Sequence, residues 1–227
     1  MNQARFAVLV AGGSGSRMKS AVPKQFLLLN EKPVLCHTIQ SFLTAYSDIQ
    51  IILVLPEEHL DTGREIISKH FSGKSISIVT GGDTRFQSVK NGLQHVSENG
   101  VVFIHDAVRC LVSPALIARC HDVAVEKGSA IPVIAAKDSI RISDPNGNHA
   151  VDRDTVKLVQ TPQVFQSQLI LEAFRQPYQH HFTDDATVLE AMGEKVWLVE
   201  GEETNLKITH PIDLIIAAKI IEERTNV

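Results

Sequence analysis

Gly12, Gly13 and Gly15 follow an apolar run and precede Arg17, and Lys24 stands a little further on in "PKQF". Glycines at a strand-to-loop turn let backbone N–H groups approach an anion closely, and a concave run of such groups makes a phosphate nest. A tight turn without a ligand is the alternative for a glycine cluster alone. Two familiar phosphate loops fail here. In a dinucleotide fingerprint, Gly13-x-Gly15 would need a small third residue where Met18 stands, and no acidic residue ends the second strand. In a Walker A loop starting at Gly13, Met18 takes the place of the second glycine. Arg17 and Lys24 beside a nest fit a polyphosphate whose charge grows during reaction, because fixed positive charge stabilises a phosphoryl transition state. That chemistry is nucleotidyl transfer. Taken singly, each of the two cations also reads as solvated surface charge.

The elements that must position these residues are legible as alternating runs. Strands are predicted at Phe6–Val10, Ile49–Leu55, Ile76–Thr80, Val101–His105, Ala130–Ile134 and Val196–Val199. Helices are predicted at Val34–Ala45, Glu57–His70, Thr84–Ser97 and Pro114–Glu126, the third marked by Phe86, Val89, Leu93 and Val96 on one helical face. Such βαβ alternation implies an α/β fold, a doubly wound and mostly parallel Rossmann-like sheet covered on both sides. Ligands of such sheets sit beyond the carboxyl ends of the strands, which selects Ala11 to Met18, Gly81 to Arg85 and Asp106 to Arg109. The alternation breaks at residues 138–160, where polar and apolar residues alternate around "DPNGN" and predict a protruding β-hairpin. Helices are predicted again near Ser167–Arg175, Asp184–Gly193 and Pro211–Glu223.

With 227 residues the chain is long enough for one sizeable α/β domain, so residues 1–227 are read as a single domain with 138–160 as an arm within it. A net charge of −4 argues against a nucleic-acid partner, which would call for a basic excess. Cys36, Cys110 and Cys120 are odd in number and lack C-x-x-C spacing, so they read as free thiols in a reducing cytosol. No apolar stretch is long enough to span a bilayer, and a soluble cytoplasmic protein is expected.

Six blocks, "AGGSGSRM" with "PKQF", "GGDTRFQSV", "HDAVRC", "TPQVF", "TDDA" and "NLKITHPIDL", stand in the order and approximate spacing of the 2-C-methyl-D-erythritol 4-phosphate cytidylyltransferase family. The resemblance runs from about Ala7 to Ile216. It implies a nucleotidyltransferase fold in which CTP lies across the first glycine loop, against Ala11, Gly12, Gly13 and Gly15, with Mg²⁺ bridging its phosphates. The 4-phosphate oxygen of methylerythritol phosphate would attack the α-phosphorus and expel pyrophosphate. Arg17, Lys24 and Lys207 would hold the triphosphate, and Gly82, Asp83 and Ser88 would read cytosine or ribose. A helix N-cap is the competing account of Asp83 or Thr84.

Asp106 resembles the family aspartate near the metal and the substrate hydroxyls, and Arg109 a residue that helps bind methylerythritol phosphate; an ion pair between the two is the structural alternative. The resemblance makes the hairpin a dimerisation arm that delivers Ser139 and Arg153 into the active site of a second copy. The guanidinium fork of Arg153 suits a phosphate. Thr161 is a weaker candidate for the same pocket. His180, His181, Asp184 and Asp185 could suggest a metal site, but a cap on the following helix explains Thr183 and Asp184 as well. The rival acceptor is another polyol phosphate, such as ribitol 5-phosphate, and the rival class is a nucleotide-binding module without chemistry.

Overall fold

Strand β1 (Ala4–Val10) runs inside the main sheet with a parallel neighbour on each side, and its carboxyl end opens onto the site. The computed structural model describes residues 3–13, 18, 20 and 22–225. After β1 come a 3-10 turn at Lys24–Phe26, a small hairpin of β2 (Leu28–Leu29) and β3 (Lys32–Pro33), and helix α1 (Val34–Ala45). Then follow β4 (Gln50–Leu55), α2 (Leu60–His70), β5 (Ile76–Thr80), α3 (Arg85–Leu93), β6 (Gly100–Asp106), α4 (Pro114–Lys127) and β7 (Ser129–Ala135). The last third contains β8 (Ile140–Asp144), β9 (Gly147–Val151), β10 (Lys157–Val159), β11 (Gln163–Gln166), α5 (Ser167–Ala173), α6 (Asp185–Glu190), β12 (Leu198–Glu200) and α7 (Pro211–Thr225).

The main sheet has the order β10-β7-β11-β6-β1-β4-β5, with β12 added to β7. β1 pairs in parallel with both β4 and β6, and β4 with β5, as the alternating pattern predicts. Side chains alternate across the sheet. Ala7, Leu9, Ile51, Leu53 and Phe103 meet α1 and α4 on one face, while Val8, Ile52, Val54, Val102 and Ile104 meet α3, α5 and α6 on the other. Phe42 and Phe103 are fully buried and meet edge-on with ring centroids 5.7 Å apart. Truncating side chains of this kind typically costs about 3–5 kcal/mol.

Three features differ from the sequence expectation. First, β11 lies antiparallel between β6 and β7, in the heart of the sheet. Only four residues long and led by Pro162, it has too short a pattern to announce itself. Second, the hairpin is narrower than 138–160. β8 and β9 pair only from Ile140↔Val151 to Asp144↔Gly147, and Asp152 then caps a 3-10 turn at Arg153–Thr155 by accepting from Asp154 N–H at 3.1 Å. Residues 157–159 join the main sheet on β7. Third, the helix predicted at Thr84–Ser97 ends at Leu93, because the N–H groups of Gln94, His95 and Val96 each reach back three residues, tightening the chain into turns.

Helix α3 carries two of the site's side chains, and its distance from the sheet is set by Gly92. A Cβ there would lie 2.6 Å from Val8 Cγ1 and 3.0 Å from Val54 Cγ2, both on stiff β-branched side chains. Gly92→Ala is therefore expected to lower stability by about 1–3 kcal/mol, the usual range for overpacking. Urea unfolding followed by circular dichroism checks it, and an unchanged midpoint would mean that α3 can move away freely.

Candidate active site

The carboxyl ends of β1 and β6 open into a cavity of about 230 Å³ lined by Ala11, Gly12, Gly13, Lys24, Gly82, Asp83, Arg85, Ser88, Asp106 and Lys207, among others. Gly12, Gly13, Gly82, Asp83 and Ser88 also line an adjoining cavity of about 330 Å³ that reaches Glu57, Glu58 and His59. Nearly all the described residues singled out from the sequence for nucleotide binding thus meet at one place. Gly15 and Arg17 lie outside the described residues.

The walls are fixed by backbone bonds that continue the sheet past the strand ends. Ala11 N–H donates to Val54 O at 2.9 Å, Gly81 N–H to Leu55 O at 2.8 Å and Ala107 N–H to Val10 O at 3.0 Å. Gln25 holds the turn around Lys24 against the glycine loop, its Nε2 donating to Ala11 O at 2.8 Å. Lys24 is 9% exposed and its ammonium donates to Ile208 O at 3.1 Å. Ile208 N–H in turn donates to Val108 O at 3.0 Å, so the segment bearing Lys207 is bound to the loop bearing Asp106 and Arg109. Beneath these loops Met18, Leu29, Val34, Leu111, Ile208 and Ala217 form an apolar cluster that includes α7.

The two glycine loops differ physically. At Gly12 and Gly13 a Cβ would come no closer than 3.7 Å to any neighbour, so among the described residues no packing demands glycine there, and both face the cavity. At Gly82 a Cβ would lie 2.2 Å from Gln87 Cγ, so glycine is required by the close turn into α3. Thr84 is the N-cap, accepting from Gln87 N–H at 3.0 Å, which leaves the exposed Asp83 facing the cavity. Ser88 is buried, and its hydroxyl accepts from Gly82 N–H at 3.1 Å and donates to Thr84 O at 3.0 Å. Ser88 therefore staples the loop in addition to lining the cavity.

Asp106, 8% exposed, is the electrostatic centre of the site. Lys207 Nζ lies 2.8 Å from its Oδ2, Arg85 Nε 3.4 Å from its Oδ1 and Arg109 Nε 3.9 Å from its Oδ2. The Asp106–Arg109 ion pair is thus real but the longest of three. Burial opposes the charge on Asp106, and Arg85, Lys207 and Arg109 outweigh it, holding the carboxyl well below the usual carboxylate range. Arg109 Nη1 donates to Asn205 O at 2.9 Å, and Asn205 Nδ2 to Thr161 O at 2.9 Å.

Thr161 sits behind Asp106 and does not line the cavity. Its hydroxyl accepts from Asp106 N–H at 3.1 Å and meets His105 Nδ1 at 3.0 Å, while His105 Nε2 meets Arg109 O at 3.1 Å. The neutral Nε2–H tautomer satisfies every donor in this chain. Ser139 and Arg153 are exposed and do not line the cavity of their own chain, Arg153 Nη1 donating to Lys137 O at 3.1 Å.

Sequence reasoning gave Arg85 no role of its own, weighed Asp185 only as a metal ligand and missed that the two are partners. Arg85 stands inside the "GGDTRFQSV" block, but nothing local ties it to a carboxylate 100 positions away. Asp184 caps α6 in a reciprocal capping box with Thr187, as the cap reading anticipates. Among the described residues no group of three or more His, Cys, Asp or Glu is placed to hold a metal.

A cation-rich cavity at the strand ends of a doubly wound sheet suits a polyanionic nucleotide, and with a buried carboxylate set among the cations the fold and site define a nucleotide-dependent transferase. A model of the 2-C-methyl-D-erythritol 4-phosphate cytidylyltransferase family matches residues 6–223, and the chain belongs to that family. It is 48% identical to the Bacteroides fragilis 2-C-methyl-D-erythritol 4-phosphate cytidylyltransferase over 96% of this chain and 99% of that one. It is 45% identical to the Porphyromonas gingivalis protein of the same name, over 97% and 99% of the two chains. Among solved structures, the 4-diphosphocytidyl-2C-methyl-D-erythritol synthase of Anaerococcus prevotii superposes with a TM-score of 0.82 at 28% identity, over 97% of this chain and 99% of that one.

His105 generates a prediction of its own. Burial pushes its pKa down to about 3, against an unfolded value near 6.5. The unfolded chain then binds the extra proton between those values, so this contribution to stability is complete above about pH 6.5 and is lost as pH falls toward about 3. Urea midpoints are expected to fall from pH 7 to 4.5, less steeply in His105→Gln. His37, whose pKa burial also lowers, keeps part of the slope. Equal slopes in the two proteins would contradict the assignment.

Proposed function

We propose that this chain transfers the cytidylyl group of CTP to 2-C-methyl-D-erythritol 4-phosphate, giving 4-diphosphocytidyl-2-C-methyl-D-erythritol and pyrophosphate. The observation that carries the reading is the arrival of Lys24 and Lys207, from opposite ends of the chain, at the cavity where Gly12 and Gly13 leave backbone open to a ligand. The acceptor's phosphate oxygen forms a bond to the α-phosphorus as the bond to the β-phosphate breaks, with no covalent enzyme intermediate. Positive charge held in place before reaction stabilises the charge gathering on the phosphates. Lys24 and Lys207 supply it, joined by Arg17 on the strength of the family pattern. Lys207 spends one of its three ammonium donors on Asp106, which leaves two for phosphate oxygens. Asp83 and the backbone around Gly82 face the cytidine, and Asp106 faces the acceptor, with Arg109, which does not line the cavity, paired to it.

A divalent cation bound in company with the substrate would meet the Asp106 carboxylate, whose oxygens already face Arg85, Lys207 and Arg109. Asp106 is a single carboxylate, and Mg²⁺ commonly completes its shell with phosphate oxygens and water. The ion would be held mainly by the phosphates, with Asp106 beside it, and its charge would offset theirs. Ser139 and Arg153 complete the acceptor site of a second copy across a homodimer, which their exposure and their absence from the lining of their own cavity support. Among the described residues no helix is long and apolar enough to cross a membrane. The three cysteines are buried and unpaired, which supports a cytoplasmic location.

Pyrophosphate release from CTP is expected with methylerythritol phosphate and not with ribitol 5-phosphate. Lys24→Ala is expected to lower turnover by about 10²- to 10³-fold. Release with ribitol 5-phosphate alone would reject the acceptor, and unchanged turnover in Lys24→Ala would remove that lysine from the mechanism. For the arm, Arg153→Ala and Arg17→Ala subunits are each expected to be inactive alone. Refolded together they should regain activity, since each mixed dimer then holds one intact site. An inactive mixture that size-exclusion and mass analysis show to contain mixed dimers would contradict assembly across chains.

A further inference from the structure

Arg85 lines the same cavity but has a partner set unlike that of the other cations. Its Nη1 and Nη2 donate to Asp185 Oδ1 and Oδ2 at 2.8 and 2.7 Å, and its Nε reaches Asp106 Oδ1 at 3.4 Å. The two-pronged bond to Asp185 fixes the plane of the guanidinium, which a single contact would not. Asp185 is itself held still. It is 1% exposed, and Gln163 Oε1 accepts from the N–H groups of Asp185 and Ala186 at 2.9 and 2.8 Å, while Gln163 Nε2 donates to Asp184 Oδ2 at 2.8 Å. Phe86, stacked on Phe174 at 4.8 Å and on Phe182 at 5.7 Å, closes the apolar side of the pair.

A purely structural ion pair would be complete with Asp185. Arg85 instead turns its remaining edge to Asp106, and the two oxygens of Asp106 are thereby divided: Oδ1 faces Arg85, and Oδ2 faces Lys207 and Arg109. Asp185 offsets part of the charge of Arg85, so beyond a counter-charge for Asp106 the couple supplies orientation. We propose that Arg85, locked by Asp185, is the positioning residue that aims the Asp106 carboxylate at Lys207 and the bound acceptor. This rests on the reading of Asp106 and Lys207 given under Proposed function.

A double-mutant cycle tests it, with kcat and KM measured from pyrophosphate release and folding checked by circular dichroism. Arg85→Gln is expected to lower kcat by about 10²-fold, the scale of a misaligned catalytic group, while KM for CTP stays within about threefold. In an Asp106→Asn background the same substitution is expected to change the residual rate by less than about threefold, because its effect passes through Asp106. Arg85→Lys keeps the charge and loses the fork. It is expected to remain at least about tenfold slow, and it carries the same cycle if Arg85→Gln does not fold. Losses that multiply in the double variant, or an undiminished kcat in Arg85→Lys, would overturn the inference. An inactive wild type would overturn the functional reading and this inference with it, whereas an active wild type with multiplying losses overturns this inference alone.

Discussion

A carboxylate taken out of water keeps its charge only if counter-charges replace the solvent, and Asp106 depends on this condition at the end of a fully buried strand. Its three cations come from separate parts of the chain: Arg85 from the start of α3, Arg109 from the loop after β6 and Lys207 from the segment before α7. They do not contribute equally. The side chains of Lys207 and Arg85 are 38% and 32% exposed, so water screens both contacts, whereas Arg109, at 14%, acts in a drier setting from the greatest distance. A group assembled from such distant positions constrains much of the architecture, since β6, α3 and the return segment must all hold their places for the charge to be tolerated.

The cavity combines two kinds of firmness. Its floor is the sheet, prolonged by backbone hydrogen bonds beyond β1, β5 and β6. Its rim is made of side chains with structural duties: Thr84 caps a helix, Ser88 staples a turn and Gln25 pins the loop opposite. Between them Gly12 and Gly13 have no packing obligation toward the described residues. Rigid surroundings around open backbone suit a ligand whose recognition relies on main-chain N–H groups.

Much of this was legible in the residues. Helix α1 runs from Val34 to Ala45 as its periodicity predicts, and the strands flanking β1 fall close to their predicted places, because amphipathic period and buried runs are local signals. The glycine turn, Lys24, Asp106, Arg109 and Lys207 were recognisable from their blocks. What escaped depends on contacts far apart in sequence. β11 is too short to carry a period, and its place between β6 and β7 is decided by those neighbours. The bond between Arg85 and Asp185 joins two helix starts with no shared local pattern. Thr161 was expected at the acceptor pocket and lies behind Asp106, since a threonine after a strand reads the same whether its hydroxyl faces a ligand or a backbone amide.

The insertion of β11 between β6 and β7 has a temporal consequence. Residues that complete the centre of the sheet are synthesised some 60 positions after β6, and the ammonium that closes the charge cluster comes later still, at position 207. A nascent chain that has only just released α4 from the ribosome carries Asp106 without Lys207, Asp185 or the threonine behind it. Such long-range closure slows folding, and it makes the charge cluster around Asp106 one of the last things this polypeptide acquires.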